Sequence, residues 1–197
     1  IEKPRETSPV EYIVAGLGNI GKQYERTRHN AGFMVVDLFM KDHNGNFNKN
    51  KMDAVFGECK IGQNRVLVAK PQTYMNNSGV AVSAISRFYK IPAERIIVIC
   101  DDVNLDIGKI RIRRKGSDGG QKGMRDIIEL LGTDEITRIK VGVGKKPHPE
   151  YDLVDWVLSK FPKEPEKDLE LALLKSSKAI TEIVNRGIDS AMNKYSN

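Results

Sequence analysis

The sequence predicts an α/β protein: a single-domain, twisted, mixed β-sheet flanked by helices. Three observations predict it. Apolar runs at residues 12–15 and 96–100 carry no polar break, as strands buried on both faces require. Segments with helical spacing alternate with strand-like ones, the order that lays helices on the faces of a sheet. Ala54 to Ile61 and Arg65 to Ala69 flank Gly62-Gln63-Asn64, a hairpin signal that adds antiparallel pairing. At 197 residues the chain fits one domain spanning 1–197, and a domain of this size buries about 70% of its unfolded surface.

Residues 1–9, charged and proline-containing, read as a flexible N-terminal segment unlike a signal peptide. Tyr12-Ile13-Val14-Ala15 is a strand, and Asn30 precedes Phe33, Val36, Asp37 and Met40 as the cap of a helix. The hairpin then leads into Pro71-Gln72-Thr73-Tyr74-Met75-Asn76. Asn77 or Ser78 caps the next helix, in which Val82, Ile85, Phe88 and Tyr89 recur at helical spacing until Pro92. Ile96 to Cys100 is the central strand, with Asp101-Asp102 at its carboxyl end. Ile110-Arg111-Ile112-Arg113 alternates as a strand with one basic face. A glycine-rich loop at 116–120 precedes a helix with Met124, Ile127, Ile128 and Leu131, and Ile139 to Val143 returns as a strand. A polar, proline-containing stretch follows, then Tyr151 to Phe161, and a long helix from about Pro165 to Arg186 that Gly187 terminates.

The formal charge is +6, with many of the cations between Lys109 and Arg125, which fits either a polyanionic partner or a solvated face. The two cysteines, Cys59 and Cys100, lie in apolar runs without framework spacing and read as reduced core thiols, which favours the cytosol. No apolar run approaches the ~18 residues of a membrane span. His43 and His148 have no ligand-spaced partners, so neither a metal nor a cofactor is expected. Ser78 lacks the surroundings of a nucleophile elbow and reads as a cap residue.

Gly16-Leu17-Gly18-Asn19-Ile20-Gly21 matches the dinucleotide fingerprint, but its context does not. A pyrophosphate site needs the helix to begin inside the glycine turn, whereas Lys22 to His29 is polar without an apolar stripe and the helix starts near Asn30. The loop instead presents His29 and several polar groups beyond a strand end.

Four segments, in order and at matching spacing, carry a family resemblance: the stretch from Gly18-Asn19 to His29-Asn30-Ala31-Gly32, Tyr74-Met75-Asn76-Asn77-Ser78-Gly79, Asp101-Asp102, and Lys115-Gly116-Ser117-Asp118-Gly119-Gly120-Gln121-Lys122-Gly123. Together they resemble bacterial peptidyl-tRNA hydrolase, from about Val10 to Asn185. The resemblance implies cofactor-free hydrolysis of the ester between a peptide and the 3′ ribose of tRNA, and a chain that works as a cytoplasmic monomer. Peptidyl-tRNA, through its acceptor stem and 3′ end, is the expected partner, with no membrane involved.

Imidazole titrates near pH ~6.5, which suits His29 as the base for water, and Asp102 is expected to hold its other nitrogen. The resemblance assigns Asn19 to recognition of N-blocked substrate and Asn76 to the peptide backbone; asparagine also simply favours such loops. Tyr24 and Tyr74 match positions that contact the tRNA 3′ end, by stacking or as rim residues. Arg111 and Arg113, with Arg138 and Lys140, form a phosphate stripe or a solvated sheet face; by resemblance Arg113 and Lys140 clamp the 5′ phosphate.

Several positions depart from the family. Its usual His-Asn is Gln121-Lys122 here, which puts a cation where an amide helps hold water; Lys122 is expected to donate to an oxyanion or a phosphate. The family's Gly-Asn-Pro-Gly is Gly-Asn-Ile-Gly, and the segment after the first acid reads Asp102-Val103-Asn104-Leu105-Asp106. A non-hydrolytic RNA-binding relative, like the plastid intron-splicing factor of similar sequence, is the alternative from another class.

Overall fold

A computed structural model describes residues 9–163 and 166–196; the expected flexible segment therefore lies outside them except for Pro9. Seven strands form one sheet in the order β2-β3-β4-β1-β5-β7-β6. They are β1 (Val10–Gly16), β2 (Lys49–Lys51), β3 (Ala54–Ile61), β4 (Asn64–Pro71), β5 (Ile96–Asp102), β6 (Ile110–Arg113) and β7 (Thr137–Gly142). The centre, β4-β1-β5-β7, is parallel; β2 and β3 at one end and β6 at the other pair antiparallel. The mixed sheet expected from the sequence is thus present.

The helices are α1 (Ala31–Asp42), α2 (Ser78–Tyr89), α3 (Lys122–Leu131), α4 (Leu153–Leu158), α5 (Glu166–Arg186) and α6 (Ile188–Tyr195). Strand periodicity divides the core between them. Val14, Val68, Ile97, Ile99 and Ile139 face Val36 and Phe39 of α1, Ala179 and Ile180 of α5, and Ala191 of α6. Ile13, Ala15, Leu67, Ile96 and Val98 face Val82 and Ile85 of α2 and Ile127 of α3. Each valine, leucine, isoleucine or phenylalanine among them contributes ~1.5–3 kcal/mol by leaving water, and the central run is apolar without break because both faces are covered.

Three elements have no counterpart in the sequence reading. β2 is a polar, three-residue edge strand, α4 is a single short helix, and α6 follows the glycine that ends α5. Asn30 does precede α1, but its side chain makes no capping bond. Nor does Asn77 or Ser78 cap α2: Asp126 Oδ2, from α3, accepts the Gly79 N–H at 2.8 Å. Both cysteines are free and buried, and burial pushes their thiols up to about 11 (Cys59) and about 12 (Cys100), so they stay protonated at neutral pH.

Ser176, on the buried side of α5, is wholly inaccessible, and its Oγ has no hydrogen-bond partner among the described residues. A desolvated hydroxyl of this kind costs about 1–3 kcal/mol. Ser176→Ala is expected to raise the urea midpoint, by about 1 kcal/mol of stability; a lowered midpoint would mean that the hydroxyl is satisfied.

Candidate active site

The site lies where β1 and β5 end side by side, at the carboxyl edge of the parallel strands. From Gly16 the chain continues through Leu17, whose N–H donates to the Ile99 carbonyl at 3.0 Å, into the loop that carries Asn19, Tyr24 and His29. The loop is braced from within. Asn30 grips the main chain of Asn19 with both ends of its amide: the Asn19 N–H donates to Oδ1 at 2.8 Å, and Nδ2 donates to the Asn19 carbonyl at 2.9 Å.

Asn19 in turn accepts the Met75 N–H on its Oδ1 at 2.7 Å. Because a backbone N–H only donates, this bond fixes the amide, and Nδ2 is left as the polar group Asn19 offers to the cleft. The segment before α2 is held at the same point. Tyr74 has φ 59° and ψ 161°, a conformation that costs a side-chain-bearing residue about 1–3 kcal/mol. Its exposed ring meets that of Tyr24 edge to face, centroids 6.4 Å apart.

His29 sits on the turn just before α1. Its Nδ1 lies 2.9 and 3.0 Å from the two carboxylate oxygens of Asp101, which is almost fully buried. The expected partner, Asp102, is the wrong acid. Successive side chains of a strand point to opposite faces, so Asp101 shares the α1 side with Ile97 and Ile99, while Asp102 falls on the other side with Val98 and Cys100. Asp102 instead accepts the Asn104 N–H at 2.8 Å and shapes the turn after β5. Counting parity along β5 from Ile97 would have picked out Asp101.

A cleft of about 330 Å³ opens over this pair, lined by Asn19, Tyr24, His29, Tyr74, Asn76, Lys122 and Lys140 among others. Counting Asp102, eight of the ten predicted site residues thus come together. Asp102 lines it too without touching His29. Arg111 and Arg113 lie outside it on the edge strand β6, where Arg111 pairs directly with Lys140 of β7 and Arg113 with Arg138. Arg138 does not belong to any basic stripe. It is wholly buried, and its guanidinium donates to the carbonyls of Ile136, Gly116, Ser117 and Asp134 at 2.6–3.0 Å, tying down the glycine-rich loop. Burial lowers its pKa from the ordinary arginine value.

The sequence reading also missed the roof. Leu153, Val154, Val157 and Leu158 of α4 give the cleft an apolar wall. The buried Arg28 secures it: the guanidinium stacks 3.7 Å from the Trp156 ring centroid and donates to the Val143 and Lys160 carbonyls and the Ser159 hydroxyl. Neither Ser78 nor Cys100 is available as a nucleophile, since the Ser78 hydroxyl donates to the Met75 carbonyl at 2.7 Å inside the core and the Cys100 thiol is held protonated. Among the described residues no group of three or more His, Cys, Asp and Glu has the placement of a metal site.

An imidazole whose Nδ1 is occupied by a carboxylate keeps Nε2 to take a proton from water, the equipment of a hydrolase. The model of the peptidyl-tRNA hydrolase family matches residues 13–197. A peptidyl-tRNA hydrolase of Clostridium botulinum is 47% identical over 184 residues, covering 93% of this chain and 96% of the relative. One from a Thermoanaerobacter species is also 47% identical, over 93% and 98%. The crystal structure of peptidyl-tRNA hydrolase from Acinetobacter baumannii superposes with a TM-score of 0.87 at 30% identity, covering 96% of this chain and 99% of that one. The chain belongs to the peptidyl-tRNA hydrolase family.

Replacing Asn30 with Ala leaves the N–H and carbonyl of the buried Asn19 unpaired, at a cost of about 1–3 kcal/mol. Thermal unfolding of Asn30→Ala is expected to show that loss, whereas an unchanged melting temperature would mean the loop holds its form without the clasp.

Proposed function

We propose that the protein hydrolyses the ester joining the peptide of peptidyl-tRNA to the 3′ ribose, with His29 as general base and Asp101 as its orienting acid. The observation that carries this reading is the His29 Nδ1 contact with both Asp101 oxygens at the floor of the cleft. With Nδ1–H directed at the carboxylate, Nε2 takes a proton from water as the water oxygen attacks the ester carbonyl. Asp101 stabilises the imidazolium. That proton then passes to the departing 3′ oxygen, so one water is consumed and a carboxylic acid and free tRNA are released.

Asn19 Nδ2 and the exposed Asn76 amide are the donors for the peptidyl group and the developing oxyanion. An ester is already activated relative to an amide, so positioned water and donors suffice. Tyr24 and Tyr74 receive the 3′ end as a stacking pair. Lys122 stands at the mouth of the cleft, and Lys140 with Arg111 and Arg113 extends a cationic track along β6 and β7 for the acceptor stem, with Arg113 and Lys140 at the 5′ phosphate. We read the protein as a cytosolic monomer; no helix among the described residues is long and apolar enough to cross a membrane.

His29→Ala is expected to keep its fold and its affinity for tRNA while hydrolysis falls by about 10²–10⁴. Steady-state turnover of an N-blocked aminoacyl-tRNA, beside its unblocked counterpart, checks both halves: selective cleavage of the blocked form supports the assignment, and undiminished turnover by the variant overturns the mechanism. Arg113→Ala and Lys140→Ala should each raise KM more than they lower kcat and reduce the salt slope of binding by about one. Unaltered salt dependence would remove both from the tRNA track.

A further inference from the structure

Gln121, the residue before α3, makes three polar contacts with one side chain. Its Oε1 accepts the Met124 N–H at 2.7 Å, capping the helix, while Nε2 donates to Asp101 Oδ1 at 3.1 Å and lies 3.1 Å from the Met75 sulfur. The Met124 N–H only donates, so the amide has one orientation: oxygen to the helix, nitrogen to the carboxylate. Asp101 Oδ1 consequently serves two donors, Gln121 Nε2 and His29 Nδ1, the latter at 3.0 Å.

We infer that Gln121 is a positioning residue for the hydrolysis, a non-titrating donor that locks the Asp101 carboxylate against His29 Nδ1. The inference rests on the His29 and Asp101 reading above. A carboxylate this buried has few other partners to fix its rotation, and a donor in a low dielectric constrains it more than one in water. The donor is itself immobile. Gln121 is anchored at its far end by Met124, and α3 packs so tightly that a Cβ on Gly123 would stand 2.6 Å from the Met75 sulfur. Met75 also holds Asn19 through its N–H. One side chain therefore joins the start of α3, the acid behind the base and the segment that orients the substrate amide. A short polar residue or a β-branched one could cap the helix from this position; only a side chain with an acceptor and a donor on one rigid group does both.

Three full-length variants separate this role from helix capping. Gln121→Glu keeps the acceptor for the Met124 N–H but turns the donor into an oxygen that repels Asp101. It should lose some stability to that repulsion, and kcat should fall about tenfold at nearly constant KM, since a small misplacement of a reacting group suffices for such a loss. Its low-field imidazole proton resonance should shift or broaden. Gln121→Met, similar in shape, removes both contacts and should lose kcat in the same way along with some stability, which covers the case of a poorly folding Glu variant. Gln121→His restores an N–H donor and should recover kcat to within about threefold of the parent. Parental kcat and an unshifted resonance in the Glu or Met variant overturn the inference. His29→Ala runs alongside: if that variant turns over normally, the reading of the base fails and the role of Gln121 with it, whereas a dead His29→Ala beside a fully active Gln121→Glu defeats only the latter.

Discussion

The close approach of α1 to the ends of β1 and β5 is the constraint on which the rest of the site depends. At Gly32 there is no room for a Cβ, which would overlap the Ile99 carbonyl and the Leu17 backbone; at Gly16 it would collide with the Gly32 carbonyl and Val36. Two residues without side chains let a helix rest directly on the sheet edge. That contact brings the turn before α1, and with it His29, within hydrogen-bond reach of an acid on the neighbouring strand. Larger residues at either position would lift the helix and separate the His29 imidazole from the Asp101 carboxylate, whatever happened to the chemistry of each.

A hierarchy of supports follows from it. Asn30 clasps Asn19, Asn19 holds Met75, and the packing of Met75 against Gly123 brings in α3. Asn19, which lines the cleft, is thus held by Asn30, which does not. Buried polar networks of this sort are stiff because every broken link leaves a desolvated donor or acceptor. They also account for the asparagines at 19 and 30 and the glycines at 16 and 32: compact amides bond backbone, and glycine admits close contact.

Much of this was legible in the sequence, and the failures have physical causes. Unbroken apolar runs located β1 and β5, and alternation located β6 to the residue, because burial on two faces or one leaves a direct imprint on composition. The motif set placed His29, Asn19 and Tyr74 at one cleft. The end of an apolar run points to Asp102, and only side-chain parity along β5 selects Asp101. Parity puts Arg138 on one face with Lys140, yet the glycine-rich loop folds over Arg138 and draws its guanidinium inward. The roof helix α4 is a single turn and a half, too short for periodicity to register, and β2 is a polar strand recruited by its neighbour.

Arg28 and His29 are adjacent in the chain, and they face opposite duties: one pins the roof through Trp156, the other meets the acid on the floor. Roof and floor are accordingly fastened to the same peptide unit. Swinging α4 outward would strip a buried guanidinium of its aromatic partner Trp156, a penalty felt one residue from the imidazole. The cleft behaves less like a box with a separate cover than like a clamshell whose hinge pin is also its working part, so the width of the opening and the aim of the imidazole are set together.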